Sequence, residues 1–374
     1  MKSLNQVTIS RSALEHNYLI CQQLAGGAAI LPLVKADGYG HGQLDCARIF
    51  AELGAAAFGV AEAVEGERLR KAGITQPILV LAGTLASTLP SLVEADLTPV
   101  LVDASFVSEL SRLAGKLGRN VGVHIKLDAG MGRQGVLPEE FATAVQAVQR
   151  AEHVHLAGVM AHFPMADERQ SESSAEVLRT FIATTEQLRQ LIPEKCCLHL
   201  ANSGGLFYVA GALFDMVRPG IALYGYYPDG AAGRAAAEPP LLQPVMRFTS
   251  RVLQVRQVPE GKGLGYSHLY TTSRPTTLAV LPVGYEDGYL RSLSNRGAVL
   301  INGQRAPVVG RVSMNLTLVD ITGLGTVQAG DEVVLLGRQG QEEITADDIA
   351  TWMETISYEV LCLFGNLNER HLVA

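Results

Sequence analysis

"LPLVKADGYGHG", residues 31–42, carries an apolar run up to a single cation, Lys35, and then breaks into glycine. A run apolar on both faces suits a parallel strand covered by helices. Seven others share its texture: "AAAFGVAE", "PILVLAG", "TPVLVD", "VGVHIKLD", "HLAGVMAHF", "CLHLANS" and "MVRPGIALYG". The stretches between them, such as "SFVSELSRLAGKLG" and "PEEFATAVQAVQRAE", space apolar residues at i, i+3 and i+4, and the second places Pro138 at a first helical position. Eight such strands, each followed by a helix, predict a parallel (β/α)8 barrel of the TIM type rather than an open doubly wound sheet.

After "YYPDGAAGRAAAEPPLLQP" the texture changes. This Gly, Ala and Pro-rich stretch reads as a linker or surface loop. Beyond it, runs such as "VMRFTSRVLQVRQV", "TTLAVLPVG", "GAVLING", "APVVGRVSM", "LTLVDI" and "GDEVVLLG" are bounded by turn signals with no helix between them. That is the pattern of an antiparallel sheet domain. One helix is predicted in it, "TADDIATWME", where Thr345 and Asp348 are spaced as a capping box. The expected organisation is a barrel over 1–238 and a mainly antiparallel β-domain over 239–374, an α/β fold in two domains.

The chain has 374 residues, 48% hydrophobic and 18% charged, with a net charge of −7. That balance offers no clustered cations for nucleic acid or an anionic membrane, so a small molecule is the expected partner. The opening "MKSLNQVTIS" has no apolar signal region, and no run approaches the ~18 apolar residues of a membrane span. A cytoplasmic location is expected. Cys21, Cys46, Cys196, Cys197 and Cys362 are scattered without metal-ligand spacing, so reduced thiols and no metal are expected.

Lys35 ends the first barrel strand, on the rim where barrel enzymes build their sites. Other strand ends carry Lys126 and Asp128, with Arg133 in the loop beyond, then His162, Asn202, Ser203 and Arg218. Cations converging on one rim repel each other unless an anion, or a carbonyl compound held as a Schiff base, occupies the space. "NSGG" and "RPGIALYG" follow strands seven and eight, where barrels cradle phosphate on backbone N–H groups. Neither stretch has a nucleotide-binding glycine pattern. Lysine and cradle together point to pyridoxal phosphate, and a cofactor-free Schiff-base aldolase shares both features.

The motifs "VKADGYGHG", "HIKLDAGMGRQG", "MAHFPMADE", "HLANSGG", "RPGIALYG", "GLGYSHLYTT", "LPVGYEDGY", "VVGRVSMN" and "ISYEVLC" stand in an order and spacing that resembles the bacterial alanine racemases, fold-type III pyridoxal-phosphate enzymes. The resemblance spans nearly the whole chain. It implies a homodimer that interconverts L- and D-alanine, supplying D-alanine for peptidoglycan. It further implies that Lys35 is the Schiff-base lysine and one of two catalytic bases, with Tyr266 as the other. Tyr39, Ser203, Gly220, Ile221 and Tyr358 resemble the residues on the cofactor phosphate. Arg218 matches the arginine facing the pyridine nitrogen, and His162 the histidine between it and the tyrosine base. Arg133 matches the residue on the substrate carboxylate, and Lys126 a lysine carbamylated in many members. Met314 and Tyr285 resemble substrate-site residues that, like Tyr266, come from the partner subunit.

Racemisation takes an α-proton from one face of a planar carbon and returns one to the other, so two bases must flank it. Free lysine and tyrosine titrate near ~10.4 and ~10 and need their pKa values lowered to serve. The chain departs from the family pattern at Asn315, usually Asp, at Glu286 in "GYEDG", usually Ala, and at its "NERHLVA" ending, which lacks R-x-P-R. Serine or broader-range racemisation is the competing activity. A pyridoxal-phosphate carrier has the same barrel but no use for a second domain.

Overall fold

The computed structural model describes residues 3–238 and 241–374. Strand β1 (Gln6–Ser10) opens the chain, and eight short parallel strands follow: β2 (Ala29–Ile30), β3 (Phe58–Val60), β4 (Ile78–Val80), β5 (Thr98–Leu101), β6 (Val121–Lys126), β7 (Val154–Met160), β8 (Cys197–His199) and β9 (Met216–Val217). β3 to β8 form one continuous parallel sheet and β2 pairs with β9. Backbone bonds close the ring on both sides: Ala56 N donates to Ile30 O at 3.0 Å and Val34 N to Gly59 O at 2.9 Å, while Asp215 N reaches Leu198 O at 3.0 Å and Arg218 N reaches Ala201 O at 2.8 Å. All eight expected barrel strands are present. β3 and β4 are buried throughout, as apolar runs without alternation require.

The second domain contains β10 (Met246–Arg251), β11 (Gln254–Val258), β12 (Gly263–Leu264), β13 (Tyr270–Thr271), β14 (Thr276–Leu281), β15 (Ala298–Ile301), β16 (Gln304–Pro307), β17 (Thr317–Asp320), β18 (Glu332–Gln339), β19 (Glu342–Ile344) and β20 (Arg370–Val373). Its main sheet runs β16-β15-β18-β10-β1-β20, and a second runs β11-β14-β17. Pairing is antiparallel except between β1 and β20. The first strand of the chain therefore sits in the second domain's sheet. "QVTIS" alternates half-buried and buried positions, the pattern of a strand with one covered face, which a barrel interior does not use. The expected boundary after residue 238 abuts Pro239 and Pro240, which lie outside the described residues.

The helix Ala346–Met353 begins at the anticipated capping box, with Thr345 Oγ1 accepting from Asp348 N at 3.0 Å. A second helix, Ser357–Leu367, was not anticipated. It buries Ser357, Val360, Leu361, Phe364 and Gly365, the i, i+3, i+4 stripe of a core-facing helix, and it packs on the turn that carries Lys35. The expected linker also holds a short helix, Ala231–Ala236, tied to the β-domain by Arg234 and Glu343 at 2.8 Å.

Buried Asn17, on the helix Arg11–Ala25, fastens the barrel to the chain leaving it. Its Nδ2 donates to Leu223 O at 3.2 Å and Gln243 O at 2.8 Å, and its Oδ1 accepts from Gln243 N at 2.8 Å. Asn17→Leu strips partners from buried backbone groups and is expected to lower stability by about 3 kcal/mol. Urea unfolding measures this; an unchanged midpoint contradicts it.

Candidate active site

The barrel mouth collects the polar strand ends. Lys35 heads a tight turn after the first barrel strand, with the turn's Ala36 N donating to Glu65 Oε1 at 2.8 Å. Burial lowers the Lys35 pKa first, then the charge of Arg133, with Glu65 opposing. Lys126 ends β6 with only 3% of its surface exposed. Burial, Arg133 and Arg218 bring it down to about 8. Arg133 is placed by the loop "DAGMGR", which folds around Asp128 Oδ1 as it accepts from Gly130 N at 3.1 Å and Gly132 N at 3.0 Å.

Arg218 is 1% exposed. Its Nη2 donates to Ala161 O at 2.8 Å and Leu200 O at 3.0 Å, while Nη1 meets His199 Nδ1 at 3.0 Å and Nη2 faces His162 Nδ1 at 3.4 Å. A guanidinium only donates, so both Nδ1 atoms accept and each neutral imidazole carries its proton on Nε2. His199 Nε2 lies 2.7 Å from His124 Nδ1, so the donation runs on into the barrel core. Burial pulls Arg218 down to about 10, still cationic at neutral pH.

These histidines make the fold acid-sensitive. Burial holds His41 and His124 down to about 4, and burial with the Arg218 charge keeps His162 and His199 well below the ordinary 6.5. A depressed histidine pKa means that the unfolded chain takes protons first as pH falls. Stability is therefore unaffected above about 6.5 and drops from there towards pH 4, on the order of 3 kcal/mol for each histidine at about 4. Urea midpoints at pH 7 and pH 5 test this; equal midpoints refute it.

Beside the cations lies an oxygen-lined cradle. Ser203 Oγ accepts from Gly220 N at 2.9 Å and Ala222 N at 3.3 Å. Both lone pairs are taken, leaving its hydrogen to donate to an incoming anion. The Tyr39 hydroxyl lies so near Gly220 that a Cβ there would come within 2.4 Å of it. Tyr39 stacks on Tyr224 at 5.0 Å and tilts against Tyr358 at 6.1 Å. Burial pushes both the Tyr39 and Tyr358 phenols far up, so each keeps its proton as a donor. Ile221 opens a 3-10 turn whose first N–H has no carbonyl within the turn. A cavity of about 540 Å³ adjoins the cradle, lined in part by His162, Asn202, Gly204 and Tyr358.

Lys35, Tyr39, Lys126, Arg133, His162, Ser203, Arg218, Gly220, Ile221 and Tyr358 all belong to this mouth and its cradle. Of these, His162 and Tyr358 line the cavity itself, and Tyr266, Tyr285 and Met314 lie away from it. Tyr266 is 69% and Met314 52% exposed on the β-domain, and the backbone of Tyr285 and Glu286 is bonded to Ser313 and Met314. The two unusual residues of that region meet each other, Asn315 Nδ2 donating to the Glu286 carboxylate. Sequence reading assigned no role to His124, His199, Glu65 or Tyr224. His124 was within reach: two residues before Lys126 on one strand, it faces the same way.

The residues fit a phosphorylated carbonyl cofactor. The charges of Arg133 and Arg218 lower the titration of both Lys35 and Lys126, and Ser203, Tyr39 and Tyr358 add hydroxyl donors suited to an anion. Fold and site together define a barrel enzyme with an appended β-domain and an electropositive mouth. Residues 9–228 match the alanine racemase N-terminal domain and residues 245–372 the C-terminal domain. The alanine racemase of Syntrophobacter fumaroxidans is 41% identical over 96% of this chain and 95% of its own. Among solved structures, the alanine racemase of D-cycloserine-producing Streptomyces lavendulae superposes with a TM-score of 0.93 at 32% identity, covering 100% of this chain and 98% of that one. That of Bartonella henselae, solved with covalently bound pyridoxal phosphate, gives 0.88 at 30% identity over 99% of each. The chain belongs to the alanine racemase family and is a racemase enzyme.

Proposed function

We propose that this protein interconverts L- and D-alanine with pyridoxal phosphate as cofactor, in the cytoplasm, providing D-alanine for cell-wall peptidoglycan. The observation that carries it is the pairing of a half-buried lysine of lowered pKa with a cradle of phosphate donors and no carboxylate at Arg218. When bound, pyridoxal phosphate supplies an electron sink that acidifies the α-C–H of an amino acid joined to it. Ser203, Tyr39, Tyr358 and the N–H groups at Gly220 and Ile221 hold its phosphate end. Arg218, held by four fixed acceptors, would meet the ring nitrogen as a donor and would not supply a carboxylate that favours a protonated ring. Arg133 takes the substrate carboxylate.

Lys35 holds or releases the α-proton at its Nζ, since burial and neighbouring cations increase the fraction of free amine. The second face needs another base, and Tyr266 reaches it from a partner subunit in a homodimer. Its support is the exposure of Tyr266, Leu269, Met314 and Leu316 together on one chain's β-domain. Lys126, near pH 8, presents a neutral amine that adds to carbon dioxide, forming an N–C bond and releasing one proton. The resulting anion would offset the charges of Arg133 and Arg218, which act on Lys126. Protein in 13C-bicarbonate is expected to show a carbamate carbon signal that Lys126→Met abolishes; a wild-type spectrum without it removes the modification.

Purified enzyme incubated with L-alanine, and separately L-serine, followed by chiral analysis, tests the activity. The Asn315–Glu286 pair adds polarity beside Tyr285 and Met314, which is the observation favouring some turnover of serine. Alanine racemised faster than serine supports the reading. Serine in the lead transfers it to a serine racemase, and no D-isomer from either ends it.

A further inference from the structure

The turn that presents Lys35 is left-handed. Ala36 (φ 52, ψ 45), Asp37 (φ 53, ψ 47) and Gly38 (φ 65, ψ 43) are followed by Tyr39 at φ 54. L-residues resist this conformation because Cβ crowds the carbonyl, and three of the four here are not glycine. Such a turn persists only where its surroundings over-determine it. Locally, Gly38 N donates to Val34 O and Gly40 N to Ala36 O, each at 3.0 Å, while His41 N donates to Gly38 O at 2.9 Å and Gly42 N to Asp37 O at 2.8 Å.

Glu65 braces the turn at Ala36 N, and further outside support comes from the far end of the chain. Arg370 pairs its Nη2 with Asp37 Oδ2 at 2.5 Å and donates from Nη1 to Gly40 O at 3.2 Å. The same Asp37 accepts from Gln43 N through Oδ1 at 2.8 Å, so one carboxylate joins the turn, the next helix and the arginine. Arg370 stands on β20, locked in register against Val7 of β1. The helix Ser357–Leu367 presses on the same backbone: a Cβ on Gly40 would lie 2.3 Å from Leu361 O, and one on Gly365 would lie 1.8 Å from Gly40 O.

We infer that Arg370 is a positioning residue for Lys35: by clamping Asp37 and Gly40 from its own chain's β-domain, it holds the left-handed turn in the form that captures the cofactor. This rests on the assignment of Lys35 as the cofactor lysine. The β-domain thus serves its own barrel through Arg370 and Tyr358, while its Tyr266 serves the partner's. Asp37 and Arg370 line a different cavity from the one beside the cradle.

Cofactor-free protein titrated with pyridoxal phosphate reads the effect directly, as visible absorbance of the Lys35 adduct, with amide hydrogen exchange of residues 36–43 as a second readout. Losing a charge-assisted contact in Arg370→Ala is expected to weaken capture about ten- to hundred-fold and to speed exchange across the turn. Arg370→Lys keeps the charge opposite Asp37 and should restore part of both. Asp37→Asn removes the ion pair while keeping an acceptor for Gln43 N, and decides the matter if Arg370→Ala does not fold. Arg305→Ala breaks a 2.9 Å pair with Glu342 elsewhere in the β-domain and should leave capture unchanged. Wild-type capture and exchange in Arg370→Ala or Asp37→Asn overturns the inference, as does an equal loss in Arg305→Ala. Borohydride label found away from Lys35 in wild type overturns the lysine assignment and the link to capture, whereas exchange alone reports whether Arg370 holds the turn.

Discussion

Tyr266→Phe is expected to cut turnover by ~10²–10⁴-fold while leaving cofactor binding intact, because a positioned base contributes on that scale and phenylalanine keeps the ring. The residue stands on a short turn between Gly265 (φ 64) and Ser267 (φ 59), a backbone shape that pushes it out to 69% exposure. Among the described residues, none hydrogen-bonds its hydroxyl. In the proposed dimer it would meet the barrel mouth, beside the Arg218 cation and the neutral His162. With only Lys35 left, proton exchange becomes one-faced. The variant in deuterated water should exchange the α-proton of one enantiomer much faster than that of the other. Undiminished activity in both directions removes Tyr266 from the mechanism.

Most of the barrel was legible because its strands are short apolar runs buried on both faces, separated by amphipathic helices. What escaped has a physical reason in each case. β1 is only five residues long and alternates, so its partners, β10 and β20, lie hundreds of residues away and leave no local signature. The helix Ser357–Leu367 is so apolar that it passes for strand unless the spacing of Ser357, Val360, Leu361, Phe364 and Gly365 is traced. At the site, rim position alone made Lys35, Lys126, Asp128, Arg133, His162, Asn202, Ser203 and Arg218 candidates. The roles of Tyr39, Tyr358 and Tyr266 came from family resemblance, since no periodicity distinguishes a phosphate donor or a base from a packed tyrosine. The Asp37–Arg370 clamp joins the two ends of the chain, and the His124–His199–Arg218 relay exists only once β6, β8 and β9 stand side by side in a closed ring. Departures at Glu286 and Asn315 were visible one at a time; their hydrogen bond was not.

Mixing Lys35→Ala with Tyr266→Phe should restore activity that neither variant has alone. If each site joins Lys35 of one barrel to Tyr266 of the other chain's β-domain, a hybrid dimer holds one doubly damaged site and one intact site. Random reassociation makes half the dimers hybrid, so about a quarter of wild-type activity should return if the two sites act independently in an isologous dimer. The expectation follows from geometry as well as kinship. Within one chain the β-domain already commits the helix Ser357–Leu367 and β20 to its own barrel, placing Tyr358 at 6.1 Å from Tyr39 and Arg370 on Asp37. Tyr266, Leu269 and Met314 are left exposed instead. In the proposed dimer a second copy would cover them and complete both sites by the same exchange. Were each site confined to a single chain, every site in the mixture would keep a defect. Differently tagged subunits establish that hybrids have formed, and hybrids without recovered activity would rule out the shared site.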